Sequence, residues 1–123
     1  MNRLMVLLVA LIVTPAANAT AQWRAEHTVL AVTSTGMIAT DWLLSVDAVR
    51  RGTFDEMNPL LGSHPSVGRL NAYNICALGA NLAIGRLLPS GLRTPWFTAV
   101  ASFETAIVLH QFNIGLHLNF GGL

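Results

Sequence analysis

VLAVTSTGMIATDWLLSV, residues 29–46, is long and apolar enough for a membrane helix, yet it encloses Asp41. Two later stretches repeat the anomaly. Residues 70–88 hold Asn71, Asn74 and Asn81, and residues 96–118 hold Glu104, His110 and Asn113. A charge at the bilayer centre costs at least ~2.5–3.5 kcal/mol on insertion scales, so such residues turn toward other protein. The expected fold is all-α: a small transmembrane helical bundle of three helices with a polar interior.

Composition agrees. Charged residues make up 11% of the chain and hydrophobic ones 53%, against roughly 25% charged in an ordinary soluble domain. Aromatics are 7%, so the apolar content comes mainly from Leu, Ala, Val and Ile. The net charge of +1 combines seven arginines, no lysine and six acids. With no basic patch, nucleic-acid binding has no support. Cys76 is the single cysteine; an intramolecular disulfide is excluded, and a packed, inert thiol is expected.

The N-terminus has the parts of a secretory signal. Arg3 precedes an unbroken apolar run of ten residues, 4–13, followed by Pro15 and the small-residue frames Ala17-Asn18-Ala19 and Ala19-Thr20-Ala21. Ten helical residues reach ~15 Å, half of a ~30 Å hydrocarbon core, which favours a signal over a span. Residues 1–21 are therefore expected to be a signal peptide or an uncleaved first anchor, and residues 22–123 the helical membrane domain. The mature chain would start at Thr20 or Gln22, outside the cytoplasm.

The first mature helix is expected to start near Glu26–Thr28 and to end at Arg50-Arg51, with Gly52 just past its end. Trp23 would sit at the outer interface, and His27 reads as a solvated interfacial residue. In the connector, Thr53 and Glu56 have capping-box spacing. Asn58 there would bond the backbone around Pro59, and Leu60-Leu61 would dip back onto the bundle. The second helix should run from Ser66 to Leu88, and the third from a Thr94-Pro95 start to about Asn119. Arg3, Arg50, Arg51 and Arg69 on one side against Arg24, Arg86 and Arg93 on the other put the connector in the cytoplasm. The location implied is a bacterial inner membrane, crossed several times. A secreted soluble bundle lacks the polar helix faces it needs, and an outer-membrane barrel lacks its alternation.

Thr40-Asp41-Trp42, Glu56-x-Asn58-Pro59-x-Leu61-Gly62, Pro65-Ser66-x-Gly68-Arg69-x-Asn71-x-Tyr73, Glu104 and Asn113-Ile114-Gly115 follow one another in this order. Over Thr40 to Phe120 the pattern resembles a family of small bacterial and phage-borne helical membrane proteins. Its members commonly carry a polar extension after the Asp-Trp pair, where this chain has Leu43-Leu44-Ser45. The resemblance implies an architecture and no reaction.

Asn71, Asn74 and Asn81 fall on one helix face, with a small-xxx-small step at Gly79 and Ala83, so the second helix reads as central. His110, Asn113 and His117 form a stripe on the third helix, with Glu104 offset by ~120°. The plainest role for these groups is interhelical hydrogen bonding, with Asn74 or Asn81 donating to Asp41 or Glu104. A second role is a proton or ion path using Asp41, Glu104 and His110. A third is a metal site drawing on His64, His110, His117 and Glu56, although no ligand spacing specifies one and no cofactor is implied. Asp41, Glu56, Asn58, Asn71, Asn74, Asn81, Glu104, His110 and Asn113 are the candidate functional residues.

Two classes of function remain. One is a non-enzymatic membrane protein whose partners are the lipid bilayer and either itself or a larger membrane protein. The other is a membrane-embedded transport or hydrolase-like subunit using the intramembrane acids and histidine.

Overall fold

The computed structural model describes residues 23–52 and 58–118. Expectations for the signal segment, for Thr53 and Glu56, and for Phe120 lie outside the described residues. Within them the chain is all-helical: α1 (Ala25–Arg51), α2 (Val67–Leu87) and α3 (Ser90–Asn113).

The ends of α1 and α2 follow from local chemistry. Glu26 lies in the first turn of α1 and Arg50 and Arg51 in the last, each with the sign that the helix dipole favours. Gly52 then turns left-handed at φ 67° and donates its N–H to the Ala48 carbonyl. Ser66 caps α2 by accepting the Arg69 N–H at 3.1 Å. In the connector, Asn58 Oδ1 accepts the Leu60 N–H at 3.0 Å. Leu61 turns inward onto Val46 and Leu70, whereas Leu60 stays exposed.

Both ends of α3 differ from the sequence reading. The helix starts at Ser90, immediately after Pro89, and takes Pro95 into its interior. Pro89 breaks α2 and supplies a helix-compatible φ of −54°. Pro95 stands in the second turn, where its missing N–H costs only the bond to the Gly91 carbonyl. At the other end, Gly115 at φ 93° closes the helix. Its N–H reaches the Phe112 carbonyl at 3.1 Å, and the Leu116 N–H reaches Gln111 at 3.0 Å. That is a Schellman ending with buried Leu116 behind the glycine. His117 lies past it, so the His110–Asn113–His117 stripe does not form; both His110 and Asn113 are exposed.

The central helix is α1, not α2. Trp42 meets Asn71 and Ser34 meets Asn81, so α1 and α2 are antiparallel. Trp23 meets Phe97, Asp41 meets Gln111 and Asp47 meets His117, so α1 and α3 are parallel. Helix α2 packs mainly on α1 and touches α3 most closely near their shared turn. There a Cβ at Gly85 would overlap the Phe97 ring. At Gly79 a Cβ would meet nothing, so the expected small-residue step is not a helix contact in this chain. Cys76 is exposed rather than packed.

The interior is unusually polar. Among the described residues, eight buried polar or charged side chains stand against nine buried hydrophobic ones. Outward-facing positions carry Val29, Val32, Ile75 and Leu109, each more than half exposed. Among the described helices, α1 is the one long and apolar enough to cross a membrane by length and composition. The three asparagines of α2, and Glu104 with His110 in α3, dilute the other two.

Candidate functional site

Asp41 and Ser45 stand one turn apart on α1 and therefore share a face. Gln111, in the last turn of α3, closes on both. Its Nε2 donates to Asp41 Oδ1 at 2.7 Å and to Ser45 Oγ at 3.2 Å, and Ser45 Oγ donates to Asp41 Oδ1 at 3.4 Å. The Schellman ending fixes the backbone of Gln111 from below, because its carbonyl accepts the Leu116 N–H. Leu116 packs with Leu44 and Val108, tying the same turn to α1 through apolar contact. Gln111 escaped the sequence reading. The signal that could have found it is its spacing of seven residues from Glu104, two turns along one face.

This knot lines a cavity of about 730 Å³ between the helices. Glu104 and His110 of α3, Asn74 and Tyr73 of α2, and Asn58 and His64 of the connector also reach it. Its other walls are apolar, with Ala77, Ile107, Ile114 and Leu116 among them. Drug-sized ligand pockets are about 300–1,000 Å³, mostly apolar with a few convergent polar groups, and this cavity has that size and character. The expected trio of Asp41, Glu104 and His110 thus shares one space. Gln111 Oε1 and Glu104 Oε2, one oxygen of each of these two lining residues, are buried and have no hydrogen-bond partner among the described residues.

The other candidates have different work. Asn71 Oδ1 accepts the Trp42 indole N–H at 2.8 Å, and Asn81 Nδ2 donates to Ser34 Oγ at 2.9 Å. The Trp96 indole N–H bonds the Asn81 carbonyl at 3.1 Å, so this one residue links all three helices. Asn74 Nδ2 returns to its own helix at the Leu70 carbonyl, 3.0 Å away. No bond from Asn74 or Asn81 to Asp41 or Glu104 is present among the described residues. Asn81 is engaged by Ser34 two turns from Asp41, Asn74 turns back to its own helix, and Asp41 is engaged by Gln111 of α3. Asn113 stands outside the cavity, and Glu56 lies outside the described residues.

Two further clusters were not foreseen. Asp47, almost fully buried, pairs with Arg51 at 2.9 Å and accepts the His117 N–H at 3.4 Å. At the other end, His27 is fully buried rather than solvated. Its Nδ1 accepts the Arg24 N–H at 3.1 Å, and its ring meets Trp23 edge-on. Trp23 in turn stacks under the Arg93 guanidinium, 5.2 Å from its ring centre, so it belongs to the bundle contact. Among the described residues, no three His, Cys, Asp or Glu side chains converge as a metal would require.

Comparison with protein-family models, curated proteins and solved structures finds no match.

Proposed function

We propose that this chain is a small multi-pass helical membrane protein that works by holding a small, largely apolar molecule inside its bundle. The cavity between the helices carries the reading: a mostly apolar chamber of about 730 Å³ lined also by Asp41, Glu104 and Gln111. Insertion of all three helices is supported by the distribution of polarity. A soluble fold has no use for a polar interior beneath an exposed Val32, Ile75 and Leu109, whereas lipid accepts the outer face directly. In this proposal residues 1–21 are the signal or first anchor, and the bundle sits in a bacterial inner membrane. The resemblance over Thr40 to Phe120 adds an architecture to the proposal and no chemistry.

Binding without conversion is favoured over hydrolysis. The Ser45 hydroxyl is engaged by Asp41 and Gln111, and among the described residues no histidine bond to it is seen, while exposed Cys76 lies outside the cavity. Association with itself or a larger membrane protein is compatible with the same architecture, because α2 leaves Ile75 and Leu82 exposed.

The test has two parts. The protein should resist alkaline carbonate extraction from membranes; release into the wash contradicts insertion. In detergent, n-decanol should raise the unfolding temperature of the purified chain and should fail to do so in Ala77→Trp, whose new side chain fills the cavity. An equal effect on both proteins contradicts a working cavity.

A further inference from the structure

The cavity has an open side. Near their shared turn α2 and α3 touch, where Gly85 meets Phe97 and the Trp96 indole N–H bonds the Asn81 carbonyl. Further along, Phe103, Ala106, His110 and Ile114 of α3 line the cavity and are nonetheless exposed. Steps of three and four residues keep these side chains on one helix face, so the cavity opens along that face. Tyr73 and Ala77 of α2 stand on the opposite rim, and α1 forms the floor. The result is a slot between α2 and α3, closed at Phe97 and about 16 Å long from Phe103 to Ile114.

The described chain begins at Trp23, whose ring meets Phe97 at the closed end of this slot. Ahead of it lies the uncharged apolar run 4–13, about 15 Å long as a helix, which is the length of the slot. Residues 14–22 tether that run and reach up to about 30 Å when extended, against about 9 Å of helix axis from Phe97 to Phe103. Laid back along the slot, the run puts Arg3 at the connector end, on the side of Arg50, Arg51 and Arg69. We propose that residues 4–13, while still joined to the chain, fill the slot between α2 and α3 and keep the cavity occupied. A signal peptidase then frees it. Water adds across the peptide bond after Ala19 or Ala21, leaving a carboxylate on the segment and a new amino terminus on the bundle. The proposal rests on the cavity being the working site and goes further by naming what regulates it.

Ala19 belongs to both small-residue frames, so Ala19→Leu keeps the segment attached. In that full chain, with Cys76→Ser, each of Leu7, Leu8, Val9 and Ala10 is changed singly to Cys. Each is paired with Ala106→Cys on the slot or with Ile75→Cys on the outward face. Four consecutive positions sample every side of a helix. Mild oxidation in lipid nanodiscs should join at least one of the four to the slot position within one chain, and none to the outward position. No cross-link to the slot, or equal cross-linking to both faces, overturns the placement. Cross-linked dimers in place of monomers assign the slot to a second copy and overturn it too. n-Decanol should raise the unfolding temperature of the processed wild-type chain. The Ala19→Leu chain should need about ten-fold or more decanol for the same rise, because a tethered segment competes at an effective concentration on the order of millimolar. Equal action on both overturns the occupancy while the cavity reading stands. No action on either overturns the cavity reading, and the cross-links alone then judge the segment. A membrane-inserted wild-type chain that still begins at Met1 overturns the release step.

Discussion

The 2.7 Å bond from Gln111 Nε2 to Asp41 Oδ1 joins the last turn of α3 to the middle of α1, across seventy residues of chain. It satisfies a carboxylate that lies within an otherwise apolar stretch, and it holds the Gln111 side chain at the cavity wall. Fold and site therefore depend on one contact.

Replacing Gln111 by Leu should destabilise the bundle by about 1–3 kcal/mol, because Asp41 loses a donor while staying partly buried. Replacing Asp41 by Leu as well should recover much of that loss. A double-mutant cycle on unfolding in mixed micelles measures the coupling. Strict additivity would show that the bond carries no stability.

Gly85→Ala should cost about 1–3 kcal/mol by forcing the Phe97 ring away from the α2–α3 turn. The same change at Gly79, where a new methyl meets open space, should be close to neutral or slightly stabilising. Thermal unfolding of the two variants makes the comparison. Equal losses would contradict the placement of α2.

Trp42→Phe should remove the bond to Asn71 at a cost of about 0.6–2 kcal/mol, and Asn71→Leu should cost a similar amount. If the indole N–H is bonded, the double variant should lose less than the sum of the two. Unfolding measured on all three variants decides it, and a sum that is met in full would remove this contact from the α1–α2 interface.

These contacts mark how far the sequence could be read. The ends of α1 and α2 were legible because Gly52 and Ser66 announce themselves through backbone freedom and a capping hydroxyl. The start of α3 was not, because Pro89 and Pro95 both stand where a helix can begin and only packing at Gly85 and Phe97 chooses between them. Its end was hidden because apolar residues continue past Gly115 at Leu116 and Leu118, and only the left-handed backbone at Gly115 stops the helix. Asp41, Glu104 and His110 were conspicuous as polar groups in apolar runs, and they do share a cavity. Gln111 was not conspicuous, since a neutral amide near a helix end is ordinary on the surface. The pairing of asparagines with acids failed for a further reason. Helical periodicity gives the face a residue occupies, but not which neighbour that face meets.

The apolar exterior is the claim on which the rest depends, and spin labels read it directly. Labels placed singly at Val32, Ile75 and Leu109, one on each helix, should be relaxed strongly by oxygen and weakly by a water-soluble nickel chelate in lipid vesicles. That result puts all three outward faces in lipid and the Asp41–Gln111 pole inside a membrane-inserted bundle. Strong relaxation by the chelate at Ile75 and Leu109 would place α2 and α3 in water and contradict the account.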